Sequence, residues 1–204
     1  MKKVNKIIKV IKNKNMQNIT KTGKLLESVL AVLFLIIGVF LRLLPHPPNF
    51  SPITAIALFG GVYFSRKTAF LLPIIALAIS DIFLGFYDLK LMAVVYFSFI
   101  LCVLLGQLLK RHKKWYIILG TSFLESLIFF ILTNFAVWAF YNWYPKTLSG
   151  LINCYVMALP FFKNSLLGDF FFVIVFFGAY ELAELLIGKK FAAKNISLVI
   201  TNNH

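Results

Sequence analysis

Five apolar stretches, each long enough to cross a lipid bilayer as a helix, leave this chain few ways to fold. A hydrocarbon core needs about 20 residues per helical span, with a range of roughly 17–25. Leu25–Leu44, Ala69–Phe86, Leu91–Leu109, Trp115–Phe140 and Ser165–Ile187 all fit. Phe50–Phe64 is shorter, and Pro52 near its start suits the first turn of a helix better than an interior. With it the spans number six. A water-soluble domain could not enclose this much apolar surface: 60% of the residues are hydrophobic, against about 45–50% in ordinary soluble chains. Disorder is excluded on the same ground. The expected fold class is an all-α integral membrane protein, a six-transmembrane-helix bundle.

The cations orient it. With the N-terminus inside, segments 1–24, 65–68, 110–114 and 188–204 hold 17 Lys or Arg. The outer segments hold only Lys90, Lys146 and Lys163, and Arg42 lies near the outer end of the first helix. Cytoplasmic loops carry such an excess of Lys and Arg, so both termini are expected inside. The net charge of +14 therefore reads as topology, and no nucleic-acid partner is expected. The chain divides into a basic cytoplasmic segment 1–24, a membrane domain 25–187 and a basic cytoplasmic tail 188–204. Two readings of 1–24 are open: an amphipathic helix on the anionic inner leaflet, with Val4, Ile7, Ile8 and Ile11 on one face, or a cationic tail that only sets orientation. A cleaved signal peptide is not expected, because no small-residue cleavage site follows the first apolar run.

Leu151–Phe162 is apolar but only twelve residues long, and Asn153 and Pro160 interrupt it. A seventh span would put the cations of the tail outside, so an outer re-entrant or interfacial segment is expected there. Trp138, Tyr141, Trp143 and Tyr144 mark the outer interface, and Trp115 and Tyr116 the inner one. Ser98, Cys102 and Gly106 form a small-residue stripe suited to close helix packing. Two cysteines do not make a disulfide framework, and both are read as free thiols.

Polar groups at membrane depth are costly and mark sites of interest. Arg42, His46, Asn49, Asp81, Asn134 and Asp169 all fall in the outer half of the predicted bundle, though they come from four helices and a proline-rich loop. Their convergence predicts a pocket open to the outside; the alternative is a structural Arg42–Asp81 ion pair with the others merely interfacial. Glu125, near mid-membrane, is either a protonated group that joins helices or a proton-coupling group. No nucleophile elbow, phosphate-binding glycine loop or zinc-protease helix occurs, so no catalytic site, metal site or cofactor is expected. An enzyme built on Asp81 or Glu125 with His46 is the weaker alternative, because no acid–base pair sits on adjacent turns. A non-catalytic assembly or scaffold subunit is another.

Several motifs are familiar together. They are Asn49-Phe50-Ser51-Pro52-Ile53 leading to Leu58-Phe59-Gly60-Gly61, Ser80-Asp81 with Leu84-Gly85, Thr133 to Trp138, Tyr144-Pro145-Lys146-Thr147, Cys154-Tyr155 and Gly168-Asp169. Across about residues 40–180 the chain resembles a family of uncharacterised six-helix bacterial membrane proteins. That family is in turn similar to the substrate-binding S components of energy-coupling-factor (ECF) transporters. The resemblance implies a component of the bacterial cytoplasmic membrane that captures a micronutrient (a vitamin, a precursor or a metal ion) from the outer face. It also implies a transmembrane coupling subunit with ATPases as partner. However, Ser28, Ala31 and Gly38 do not reproduce the Ala-x-x-x-Ala docking pattern of such S components. Matching polar motif positions carry Asn49, Asp81, Asn134, Tyr155 and Asp169 over as ligand-binding candidates, beside Arg42 and His46.

Overall fold

A computed structural model describes the backbone of residues 2–201 and the side chains of residues 23–185. Six helices follow in order: α1 (Lys2–Leu43), α2 (Ile53–Tyr63), α3 (Arg66–Leu84), α4 (Leu89–Leu109), α5 (Trp115–Phe140) and α6 (Leu148–Thr201). Five of them contain stretches long and apolar enough to cross a membrane. α2 has only 11 residues, about 17 Å at 1.5 Å per residue, roughly half of a 30 Å hydrocarbon core. The chain is a membrane-spanning helical bundle, and large side chains such as Val29, Ile36, Phe83 and Leu108 face outward from it, as contact with lipid requires. The side chains of the basic N-terminal segment and of the tail lie outside the described residues, so their amphipathicity is not visible; the backbone of α1 passes through position 24 without a break.

α2 is the axis. Ile53 through Val62 are all buried, and the helix packs against each of the other five. Small residues make this possible. A Cβ on Gly61 would stand 2.5 Å from the Val103 carbonyl oxygen of α4, and one on Gly106 would stand 2.5 Å from that of Leu58. The Ser98–Cys102–Gly106 stripe expected to favour close packing faces this contact, with Ser98 and Cys102 buried. Toward the inner end the axis is aromatic: the Phe59 ring lies 4.6–5.7 Å from those of Phe34, Tyr63, Phe64, Phe177 and Tyr180.

The outer helices do not close a ring around α2. α1 neighbours α3, α3 neighbours α4, α4 neighbours α5 and α5 neighbours α6, but among the described residues the backbones of α1 and α6 do not meet. Phe34 and Phe176 touch across the gap, 4.8 Å between ring centroids, beside an apolar cleft of about 800 Å³.

Cross-helix contacts sort the ends of the bundle. Glu27 accepts from the Ser65 amide (2.8 Å), Lys110 Nζ donates to the Phe64 carbonyl (3.0 Å), Lys113 lies over the Tyr63 ring and Trp115 Nε1 donates to Glu181 (3.0 Å). Those residues gather at the cation-rich end, the inner one by charge. Arg42, residues 44–52, Lys90 and residues 138–148 gather at the other.

Leu151–Phe162, expected as a separate re-entrant or interfacial segment, is instead the first part of α6, which continues through Pro160. Proline removes one backbone donor, and a membrane helix tolerates that loss when neighbouring helices hold it. Here α5 does so: Phe130 packs on both Tyr155 and Phe162, with centroids 5.4 and 4.8 Å apart, and Tyr155 Oη donates to the Ile131 carbonyl (2.9 Å). Between the Ser126–Asp169 and Asn134–Cys154 contacts, α5 advances eight residues while α6 uses fifteen. Antiparallel helices of equal rise would advance together, so this part of α6 crosses α5 obliquely.

Candidate functional site: an outer cavity above α2

A half-length axis leaves the other half of the axis empty. α2 begins at Ile53, well inside the bundle, because Pro45, Pro47 and Pro48 prevent α1 from continuing and hold the return in a tight loop. The loop turns at Pro47–Phe50: the Phe50 amide donates to the Pro47 carbonyl (3.0 Å), and Asn49 has φ 66°. Proline then asparagine at the two central positions is the chemistry of a type II turn, whose second central residue takes a positive φ. Phe50 then packs against Gly168, where a Cβ would stand 3.2 Å from the Phe50 Cα.

The space above is a cavity of about 480 Å³. Arg42, His46, Asn49, Ser51 and Thr54 line it from α1, the loop and the start of α2; Phe99 and Phe129 come from α4 and α5, and Ser165 and Asp169 from α6.

Arg42 forms one wall. Its Nη1 lies 2.7 Å from Asp81 Oδ1 and also donates to Ser80 Oγ and to the Leu77 carbonyl (3.3 Å). Asp81 is almost wholly buried behind it and accepts from Tyr96 Oη at 2.9 Å. Among the described residues the contacts of the guanidinium all run through Nη1, and Arg42 also lines the cavity. The Arg42 carbonyl lies 3.3 Å from His46 Nε2, and Pro47 O lies 2.9 Å from Nδ1, so whichever ring nitrogen carries the proton has a backbone carbonyl to accept it. Tyr87, in the α3–α4 connection, stands close enough to feel both charges. Burial, then Asp81, push its phenol up to about 12 against the opposing effect of Arg42, so it stays neutral.

Asp169 forms the opposite wall. It accepts from Ser126 Oγ at 2.5 Å and shares the cavity lining with Thr54. Thr54 lies in the first turn of α2, where the free amides favour a negative group.

Of the seven ligand-binding candidates read from the sequence, Arg42, His46, Asn49 and Asp169 line the cavity, and Asp81 stands just behind Arg42. Asn134 and Tyr155 do not join them. The Asn134 amide donates to Phe130 of its own helix (2.8 Å), and the residue lines a separate pocket of about 210 Å³ with Cys154, Trp143 and Tyr144. Tyr155 is occupied with the α5 backbone. The oblique course of α6 carries residues 154–158 to that side. Ser80, Tyr96, Thr54 and Ser126 are partners the sequence reading missed. Ser80 adjoins Asp81 and Ser126 adjoins Glu125, so neighbours of buried charges were the available signal. Cys102 and Cys154 are free and buried.

Fold and cavity define the class: a multi-helix membrane protein with a polar chamber at its cation-poor end. The chain belongs to a family described as a family of unknown function (DUF6580), whose model matches residues 24–193. No curated protein and no solved structure matches it.

Proposed function

We propose that this protein is a membrane-embedded solute-binding component that takes a small organic molecule with an anionic group into the cavity above α2. The observation that carries this reading is Arg42. Asp81 holds its guanidinium through Nη1 while the residue lines a chamber of about 480 Å³ at the cation-poor end, within the usual range for small-molecule sites. Asn49 and Ser165 add hydrogen-bonding groups, His46 lies beside them, and Phe99 and Phe129 supply apolar walls. Among the described residues no three His, Cys, Asp or Glu converge, which favours an organic vitamin or precursor over a metal ion. The protein acts in the bacterial cytoplasmic membrane, is not an enzyme, and works in uptake as the S components of ECF transporters do, with a coupling subunit and ATPases supplying the energy. A second reading, an assembly subunit, draws on the apolar cleft between α1 and α6.

Mass spectrometry of small molecules released from the purified protein tests the proposal. An anionic organic solute should accompany the wild type and be lost from Arg42→Gln. Equal release from both proteins, or none from either, would count against it.

A further inference from the structure

Below the cavity, where α2, α4, α5 and α6 cross, lies a polar cluster that solute capture does not use. Ser122 and Glu125 are one turn apart on α5 and fully buried. Among the described residues neither carboxyl oxygen of Glu125, nor the Ser122 hydroxyl, has a hydrogen-bond partner. Ser126, next to Glu125 on α5, donates to Asp169 of α6 at 2.5 Å, so the two acids lie on facing turns, and Asp169 also forms part of the cavity wall. Arg42–Asp81 is the only ion pair among the described residues, so no cation of the described chain neutralises Glu125 or Asp169.

Two neighbouring carboxyl groups in a low-dielectric interior do not both stay ionised. The one with no hydrogen-bond donor bears the larger penalty as an anion, and here that is Glu125. Asp169, with the Ser126 hydroxyl as donor, bears the smaller. A metal ion would need several ligands drawn around one point, and among the described residues no three His, Cys, Asp or Glu converge in that way. A proton needs one oxygen.

We propose that Glu125 and Asp169 form a proton-binding pair on the floor of the outer cavity. The proton rests on Glu125. It leaves by way of a water entering from the cavity: the Glu125 O–H bond breaks as one forms on that water, which gives up a proton to an Asp169 oxygen, and further water in the cavity takes it from there; the reverse steps reload the pair. Facing the pair are the Cys102 thiol of α4 and the uncharged Thr54 of α2. Arg42 and His46 lie on the cavity walls, with Asp81 and Tyr96 behind Arg42. A solute that fills the cavity covers the exit through Asp169 and so links its own binding to that of the proton. This linkage rests on the function proposed above; the proton site does not.

Infrared spectroscopy of the full chain in lipid nanodiscs, without added solute, reads the site directly. At neutral pH the wild type should show a protonated-carboxyl C=O band that moves to lower frequency in deuterated buffer. The band should vanish in Glu125→Gln and change frequency in Asp169→Asn, which also serves should Glu125→Gln not fold. Identical spectra for the wild type and a folded Glu125→Gln would overturn the proposal. So would a band indifferent to deuterated buffer, a band unmoved by Asp169→Asn, or one abolished by sodium at fixed pH. A band that behaves as expected in a protein that binds no anionic solute would leave the proton site standing and remove the solute reading alone.

Discussion

Arg42 and Asp81 join the last turn of α1 to the last turn of α3 through a 2.7 Å ion pair at the cavity wall. The carboxylate is 1% exposed and the guanidinium 17%, so the aspartate is sealed while the arginine can still reach a guest. Under the proposed function, one member anchors and the other contacts the solute.

Asp81→Asn keeps the shape and removes the anchor. Breaking a buried pair from one side costs about 3–5 kcal/mol, but Arg42 retains Ser80 and Leu77, so the loss should fall at or below the bottom of that range. Under the proposed function, solute binding should drop sharply because the guanidinium loses the carboxylate that holds it at the cavity wall. Arg42→Gln should lose binding to the same extent, and the double variant should be less than additive by about 0.5–3 kcal/mol. Thermal unfolding in detergent alongside a binding assay separates the roles: a large fall in stability with unchanged binding would make the pair purely structural.

Gly106→Ala places a methyl group 2.5 Å from the Leu58 carbonyl oxygen and 3.0 Å from the Gly61 Cα, and backbone cannot rotate away as a side chain can. Destabilisation of about 1–3 kcal/mol is expected. Gly120→Ala, on an open face of α5 where a Cβ meets nothing within 4 Å, should be near neutral in the same melt.

Lys146 folds back over the end of α5 and donates to the carbonyls of Trp138 and, at 2.6 Å, Tyr141. It supplies a positive charge where the helix ends in unpaired acceptors. Lys146→Met should cost about 1 kcal/mol and expose amides near the α5–α6 turn to faster hydrogen exchange than in the wild type.

Sidedness can be read with single cysteines at His112 and Thr147, both exposed, in a background with the buried Cys102 and Cys154 replaced by alanine. An impermeant thiol reagent applied to intact cells should label position 147 and spare position 112. The opposite pattern would invert the bundle and turn the cavity toward the cytoplasm.

Much of this architecture is legible in the sequence because a bilayer imposes length and polarity together. The long runs carry five of the helices, and the ends of α4 and α5 fall where the apolar runs meet Lys110 and Trp115. The cavity was legible only in part. Arg42, Asp81 and Asp169 stand out as charges in hydrocarbon, but nothing in the composition of Phe50–Phe64 says that α2 would be the axis. Its burial on every side depends on Gly61 meeting Gly106, a contact between residues far apart in the chain. Asn134 and Tyr155 share the depth of the site without sharing its side. Depth follows from counting residues, whereas azimuth depends on the oblique crossing of α6 over α5.

The open seam between α1 and α6 bears on how the chain is made. α1 emerges from the ribosome first, and the neighbours that hold it are α2 and α3, with Glu27 gripping the Ser65 amide at one end and Arg42 gripping Asp81 at the other. None of these exists when α1 enters the bilayer. During synthesis it must therefore wait as a solitary helix, its arginine drawn toward the headgroups, until α3 arrives with the aspartate that lets it settle.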